Sequence, residues 1–167
     1  IKDNASAAIQ DLPKWIILWL RKNLTKDVTL KDSNSPEKVY LDRSDASPNI
    51  KKLRKIINED EVITTLKEKD FKVIKLSDFS FIDQMKIFYN AKKIIGLHGA
   101  GFANVLFSQS DLKVLEIKPI SAGKLYENLA IKCNVNYDCL PITPEKFHND
   151  NQMGHVRVNI KKLIEKL

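Results

Sequence analysis

Among its 167 residues the chain has only two cysteines, Cys133 and Cys139. They lie close in sequence with a predicted strand between them, so no disulfide framework follows and free buried thiols are expected. Two cysteines and three scattered histidines give no zinc pattern. No D-x-D motif occurs, so the sequence requires no divalent metal. No G-x-S-x-G elbow occurs either, which leaves Ser/His/Asp hydrolysis without support. Arginine is scarce. Arg21, Arg43, Arg54 and Arg157 stand against a majority of dispersed lysines, in a net charge of +7. Nucleic-acid readers use arginine for paired hydrogen bonds and cluster their charge. Dispersed lysine therefore points away from nucleic acid and toward a soluble surface. An anionic small ligand, such as a nucleoside diphosphate, fits the same charge. Long apolar runs are missing too. Trp15-Ile16-Ile17-Leu18-Trp19-Leu20 is too short to cross a bilayer. Packing against a neighbouring domain accounts for it better than contact with a membrane surface. No secretory leader is visible at Ile1, and a chain that does not begin with Met is expected to be a fragment. Asn4-Ala5-Ser6 and Asn23-Leu24-Thr25 are formal glycosylation sequons, short enough to arise by chance.

What is present is alternation. A chain of this length suits one domain with a real core. Asp11 is placed to cap a helix from Leu12 to about Leu24, with Pro13 in its first turn. Asp27 to Glu37 is polar and carries Pro36, which reads as a linker. Residues 1–37 are thus an N-terminal helix and linker, a remnant of an interdomain region, and residues 38–167 a Rossmann-like domain. Strands are predicted at Val39–Leu41, Phe71–Leu76, Lys93–Leu97, Lys113–Ile117 (stopped by Pro119) and Asn136–Leu140. Helices are predicted from about Ile50 to Lys69 with a break near Asn58, over Phe81–Ala91 capped by Ser80, and over Phe102–Phe107, Ala122–Cys133 and Ile160–Leu167. This order implies an α/β fold, a Rossmann-like parallel sheet with helices on both faces. Ligands of such sheets sit beyond the carboxyl ends of the strands, where Arg43, His98–Gly101 and Glu116 fall.

Gly96-Leu97-His98-Gly99-Ala100-Gly101 joins the third strand to a helix. Glycine tolerates positive φ and lets backbone approach a ligand closely. The helix start would aim free N–H groups at a phosphate. The order is G-x-x-G-x-G with no Walker lysine, so the loop alone also suits a tight turn of small residues. His98, flanked by glycines, has little cover and is expected to face the ligand rather than a core. Arg43 and Arg54 could each give a diphosphate charge-assisted bonds of about 1.5–3 kcal/mol, against about 0.3–1 kcal/mol from an exposed helix N-terminus. The alternative is that both are exposed charges. In Asn58-Glu59-Asp60-Glu61, Asn58 and Glu61 fit an N-cap and capping box, with a metal or sugar site as the alternative. Glu116 ends an apolar strand, either accepting bonds from ribose hydroxyls or facing solvent. Asp83-Gln84 reads as ordinary helix surface.

Together these segments resemble one family. The run from Ile94 to Phe107, I-I-G-L-H-G-A-G-F-A-N-V-L-F, is similar to the signature of the glycosyltransferase 61 family, the DUF563 group. Tyr40-Leu41-Asp42-Arg43-Ser44-Asp45 and Arg54-Lys55-Ile56-Ile57-Asn58-Glu59-Asp60-Glu61 resemble its upstream R…R-x-x-x-N-E-x-E block. Phe71, Asp83-Gln84, Phe88 and Ala91 fall in its intervening pattern, with Asp83-Gln84 where Glu-Gln is common. Val114-Leu115-Glu116-Ile117-Lys118-Pro119 and Tyr126 continue it, so the resemblance spans roughly residues 38 to 140.

The resemblance implies inverting transfer of a sugar from a nucleotide-sugar donor, UDP-linked, to a glycan or polysaccharide acceptor. It implies a GT-B enzyme whose C-terminal Rossmann-like half, matched here, binds the donor and faces an N-terminal domain missing from this chain. Donor contacts are implied for Arg43, Arg54, Asn58, His98, Gly99, Ala100, Gly101 and Glu116. The general base is left among His98, Asp45, Glu59 and a residue of the other domain. The lysine-rich composition resembles the family's bacterial branch, which implies a cytoplasmic setting; a eukaryotic member would work in the Golgi or ER lumen. The alternative is a non-catalytic nucleotide- or nucleic-acid-binding module.

Overall fold

Val39, Tyr40 and Leu41 are all buried, which marks a strand covered on both faces, as a parallel sheet requires. The computed structural model describes residues 4–49, 54–145 and 154–167. Its strands are β1 Lys38–Asp42, β2 Lys72–Lys75, β3 Lys93–Leu97, β4 Lys113–Pro119 and β5 Asn136–Ile142. They form one sheet in the order β2-β1-β3-β4-β5, and every pair is parallel. The helices are α1 Asn4–Asp11, α2 Lys14–Leu24, α3 Glu59–Lys67, α4 Phe81–Asn90, α5 Leu125–Cys133 and α6 Ile160–Glu165, with a 3-10 helix at Ala100–Phe107.

Side chains alternate across the sheet and so feed two cores. Val39, Leu41, Ile94 and Val114 meet Ile17 of α2, Phe88 of α4, Phe102 of the 3-10 helix and Ala130 of α5. Tyr40, Ile95, Leu97 and Ile117 meet Val62 and Leu66 of α3 and Leu163 of α6. Fully burying an aliphatic or aromatic side chain is worth about 1.5–3 kcal/mol, so each face depends on its own helices. The expected α/β sheet with helices on both faces is what forms.

The strand order also locates a crevice. The chain leaves β1 for β2 on one side, then crosses back over β1 to β3 and continues outward to β4 and β5. Right-handed crossovers put α3 on one face and α4 on the other. The loops after β1 and β3 therefore diverge, and such a switch point is where open α/β sheets bind ligands.

Several local expectations are corrected. A helix at Asn4–Asp11 was not foreseen, and Asp11 ends it rather than capping the next one. Pro13 is the residue before α2, with φ −59° and ψ 136°; its ring and missing N–H prevent α1 from running on. The long helix predicted from Ile50 is not continuous. Residues 50–53 lie outside the described residues, Ile56 forms a parallel bridge to Val156, and helix resumes only at Glu59. Pro119 does not stop β4 but is its last residue, paired with Ile142. It sits past the last β3 partner, Ile117, so its missing N–H costs no ladder bond. The Ser80 cap forms as predicted: its hydroxyl accepts the Asp83 N–H at 3.2 Å and donates to the Asp83 carboxylate at 2.6 Å.

The segment before β1 is held against the first core. Arg21 donates to the Leu106 carbonyl at 2.7 Å, and the Asn90 amide donates to the Leu30 carbonyl at 2.7 Å. Leu30 packs on Met85 and Phe107. The outer side of α2 leaves Trp15, Leu18 and Trp19 more than half exposed. Both cysteines are free; Cys133 is buried and Cys139 half-buried. Among the described residues no helix is long and apolar enough to cross a membrane.

Candidate functional site

Arg43 follows β1 directly, and its guanidinium reaches across the switch point to donate to the His98 carbonyl at 2.5 Å. It lies flat against Gly99, where a Cβ would stand 2.6 Å from Arg43 Cζ. Gly99 is extended, with φ and ψ both 170°, so glycine is needed here for close approach and not for left-handed backbone. That corrects the positive-φ reading of this loop; Gly154 is the positive-φ glycine among the described residues. Beyond Gly99 the chain enters the 3-10 helix at Ala100, whose first N–H groups have no partner within that helix.

Two cavities open on either side of Arg43. One, of about 440 Å³, is lined by Asp45, Leu76, Ser77, Gln84, Gly101 and Asn104. The other, of about 400 Å³, is lined by Arg54, Lys55, Glu59 and His155. Arg43, Ala46 and Leu97 wall both. Burial holds Arg43 below the usual arginine range, against Tyr126, Asp45, Glu59 and Tyr40, which raise it. Arg54 is buried at 8% exposure, which rules out the reading of it as an exposed charge. Burial and then the neighbouring charge of Arg43 push it down to about 10, so it stays a cation at neutral pH. Two like charges kept this close suit an anion.

His98 and Glu116 are placed otherwise than expected. The His98 ring is 3% exposed and turns inward; Nδ1 meets the Glu116 carboxylate at 2.5 Å, and the ring packs edge-on against Tyr126 at 5.1 Å. Its cover comes from α5 and β4, which the flanking glycines could not reveal. Glu116 is 1% exposed and also accepts from the Tyr137 hydroxyl, so it does not face solvent. The pair lies beneath the loop and supports it from inside, with the His98 N–H donated to the Ile117 carbonyl at 2.8 Å.

Asn58 does not act as a side-chain cap. Its amide brackets Val158, accepting from the Val158 N–H and donating to its carbonyl, both at 2.9 Å, and also donates to Glu61 at 2.8 Å. Those bonds tie residues 58 and 158 together. Glu59, next to it, faces the second cavity and accepts from the buried Tyr40 hydroxyl at 2.8 Å. Burial raises the Glu59 pKa; the Tyr40 bond lowers it, Asp42 and Asp60 raise it, and Arg43 lowers it, with a net rise. Asp45 is exposed on the first cavity and accepts the Ser77 N–H at 3.1 Å.

Two residues of the site escape a reading by sequence. Gln84 is not plain helix surface. Its amide donates to the Leu76 and Phe79 carbonyls at 2.9 and 3.2 Å, and it accepts from Asn104 at 3.1 Å, tying the loop after β2 to the 3-10 helix. His155 gives no signal in the sequence, since a tertiary pairing alone brings it here. Among the described residues no cluster of three or more His, Cys, Asp or Glu side chains could hold a metal ion.

Comparison with known proteins agrees with the loop. The family pattern described as Glycosyltransferase 61 matches residues 3–115. The EGF domain-specific O-linked N-acetylglucosamine transferases of Mus musculus and Canis lupus familiaris are each 32% identical to this chain over 89 residues, 50% of its length. That of Drosophila melanogaster is 32% identical over 52% of the chain. The chain spans about 17% of the length of these curated relatives.

Proposed function

We propose that this chain, which belongs to the glycosyltransferase 61 family, is the donor-binding part of a glycosyltransferase that uses a nucleotide sugar. One observation carries the reading: Arg43 forms the common wall of two cavities at the switch point, with Arg54 in the second. The donor diphosphate lies at Arg43, between Arg54 and the backbone of Gly99, Ala100 and Gly101. The nucleoside occupies the cavity beside Gln84 and Asn104, and the sugar the one beside Glu59. The names of the relatives support an N-acetylglucosamine donor and a protein acceptor; the donor is UDP-linked in this reading, and the acceptor is held by a second, GT-B-type domain facing this rim.

The chemistry is a displacement with inversion. The acceptor hydroxyl loses its proton to Glu59 as its oxygen bonds the anomeric carbon. The bond from that carbon to the phosphate oxygen breaks, and the diphosphate leaves with the electron pair. Arginines aimed at the leaving oxygens stabilise charge where it develops. His98 and Glu116 hold the loop from beneath.

A thermal-shift titration with UDP, GDP, CDP and ADP tests the site. A nucleotide at 100 times its dissociation constant stabilises the fold by about 2.7 kcal/mol, a rise of several degrees for a domain of this size. A selective response to one nucleotide is expected. Silence from all four, with a shift from a short single-stranded oligonucleotide, would overturn the reading.

Glu59 as the base makes a second prediction. The Tyr40 hydroxyl stabilises the ionised Glu59 carboxylate. Tyr40→Phe removes that bond, the Glu59 pKa rises further, and the acid limb of the transfer rate moves to higher pH. An acid limb that stays in place while the rate is retained would exclude Glu59.

A further inference from the structure

We propose that His155 donates a hydrogen bond to the donor diphosphate as a third side chain beside Arg43 and Arg54. This rests on the donor-site reading above. His155 reaches the cavity next to an isolated parallel bridge between Ile56 and Val156. The Val156 N–H donates to the Lys55 carbonyl at 2.9 Å, and the Ile57 N–H donates to the Val156 carbonyl at 2.8 Å. Asn58 then brackets Val158 with its side-chain amide. The His155 carbonyl accepts from the Glu145 N–H at 3.0 Å.

Burial alternates along residues 155–158 and sorts their side chains. Val156 and Val158 are buried in the second core, at 0% and 2% exposure, so His155 and Arg157 point the other way. Arg157 is exposed and pairs with Glu145 at 2.8 Å. His155 is half-buried and lines the cavity of Arg43, Arg54, Lys55 and Glu59. Among the described lining residues Arg43, Arg54 and Lys55 stand against the one carboxylate of Glu59, so the wall at Arg43 and Arg54 suits the diphosphate while the sugar lies toward Glu59. An imidazole gives an anion an N–H in its neutral or its protonated form. The parallel bridge sets His155 level with Lys55, one residue past Arg54, and both Arg54 and His155 line the cavity. His155 also lies outside the segment that identifies the family.

Calorimetric titration of the unaltered chain, His155→Ala and His155→Gln with inorganic pyrophosphate and with UDP tests the assignment. The expected result is a tenfold or greater loss of affinity for both ligands in His155→Ala, a size given by one charge-assisted bond. His155→Gln keeps an N–H donor and is expected to regain part of it. The unliganded melting temperature of both variants should stay within about 2 °C of the parent, as for a partly exposed side chain. Parental affinity in His155→Ala overturns this inference alone. Equal losses in both variants also overturn it, since packing rather than donation would then explain them. An unaltered chain that binds neither pyrophosphate nor any nucleoside diphosphate overturns the donor site itself.

Discussion

Replacing Arg43 with alanine is expected to weaken nucleoside-diphosphate binding by roughly 100- to 10,000-fold. The estimate takes two charge-assisted bonds to phosphate at about 1.5–3 kcal/mol each, with tenfold in affinity for every 1.4 kcal/mol. Arg43 is chosen over Arg54 because it walls both cavities and is bonded to the loop itself. Losing its charge-assisted bond to the His98 carbonyl costs the fold about 1.5–3 kcal/mol, a fraction of a domain's stability, so the variant should still melt cooperatively. Gly99→Ala is the companion test. Its new Cβ would meet Arg43 Cζ at 2.6 Å, and the flexible guanidinium, not the backbone, must move. Affinity should therefore fall with little change in melting temperature. Calorimetric titration and a melt on each variant decide it. If both variants bind the diphosphate as the parent does, Arg43 is not its contact.

Glu116→Ala is expected to cost roughly 3–5 kcal/mol of stability, since a buried polar group left without its partner costs about 1–3 kcal/mol and two groups depend on this carboxylate. The carboxylate is 1% exposed and serves two groups, His98 Nδ1 and the Tyr137 hydroxyl. Alanine leaves both without that acceptor and leaves a cavity in place of the side chain. For a domain of this size the melting temperature should fall by about 10 °C or more. Glu116→Gln retains acceptor capacity and most of the volume, so its loss should be about half. A melt of Glu116→Ala within about 2 °C of the parent would show that Glu116 does not support the loop.

Much of the fold is legible in the sequence because period follows burial. Each predicted strand forms, and Ser80, Phe81 and the apolar positions after them give α4 its bounds. The site is legible in part. Arg43 and the Gly96–Gly101 loop are each tied to one strand end, so local pattern places them on the same rim. Arg54 was named without its setting, since its burial depends on a bridge to residues a hundred positions away. The burial of His98 and Glu116 is not legible in the sequence. A single sequence shows which residues flank His98, but its cover comes from Tyr126 on α5 and Glu116 on β4.

By itself the sequence determined the strand–helix alternation, the parallel sheet and the family. These rest on hydrophobic period and on contiguous motifs, both of which are properties of neighbouring residues. Only the tertiary structure decided which ionisable groups face the cavities and which face inward. It turned Glu116 and His98 into a buried support, turned Asn58 into a clamp on Val158, and brought His155 beside Arg54. Whether a polar side chain meets solvent, ligand or another side chain is set by what packs over it, and here that cover comes from distant strands and helices.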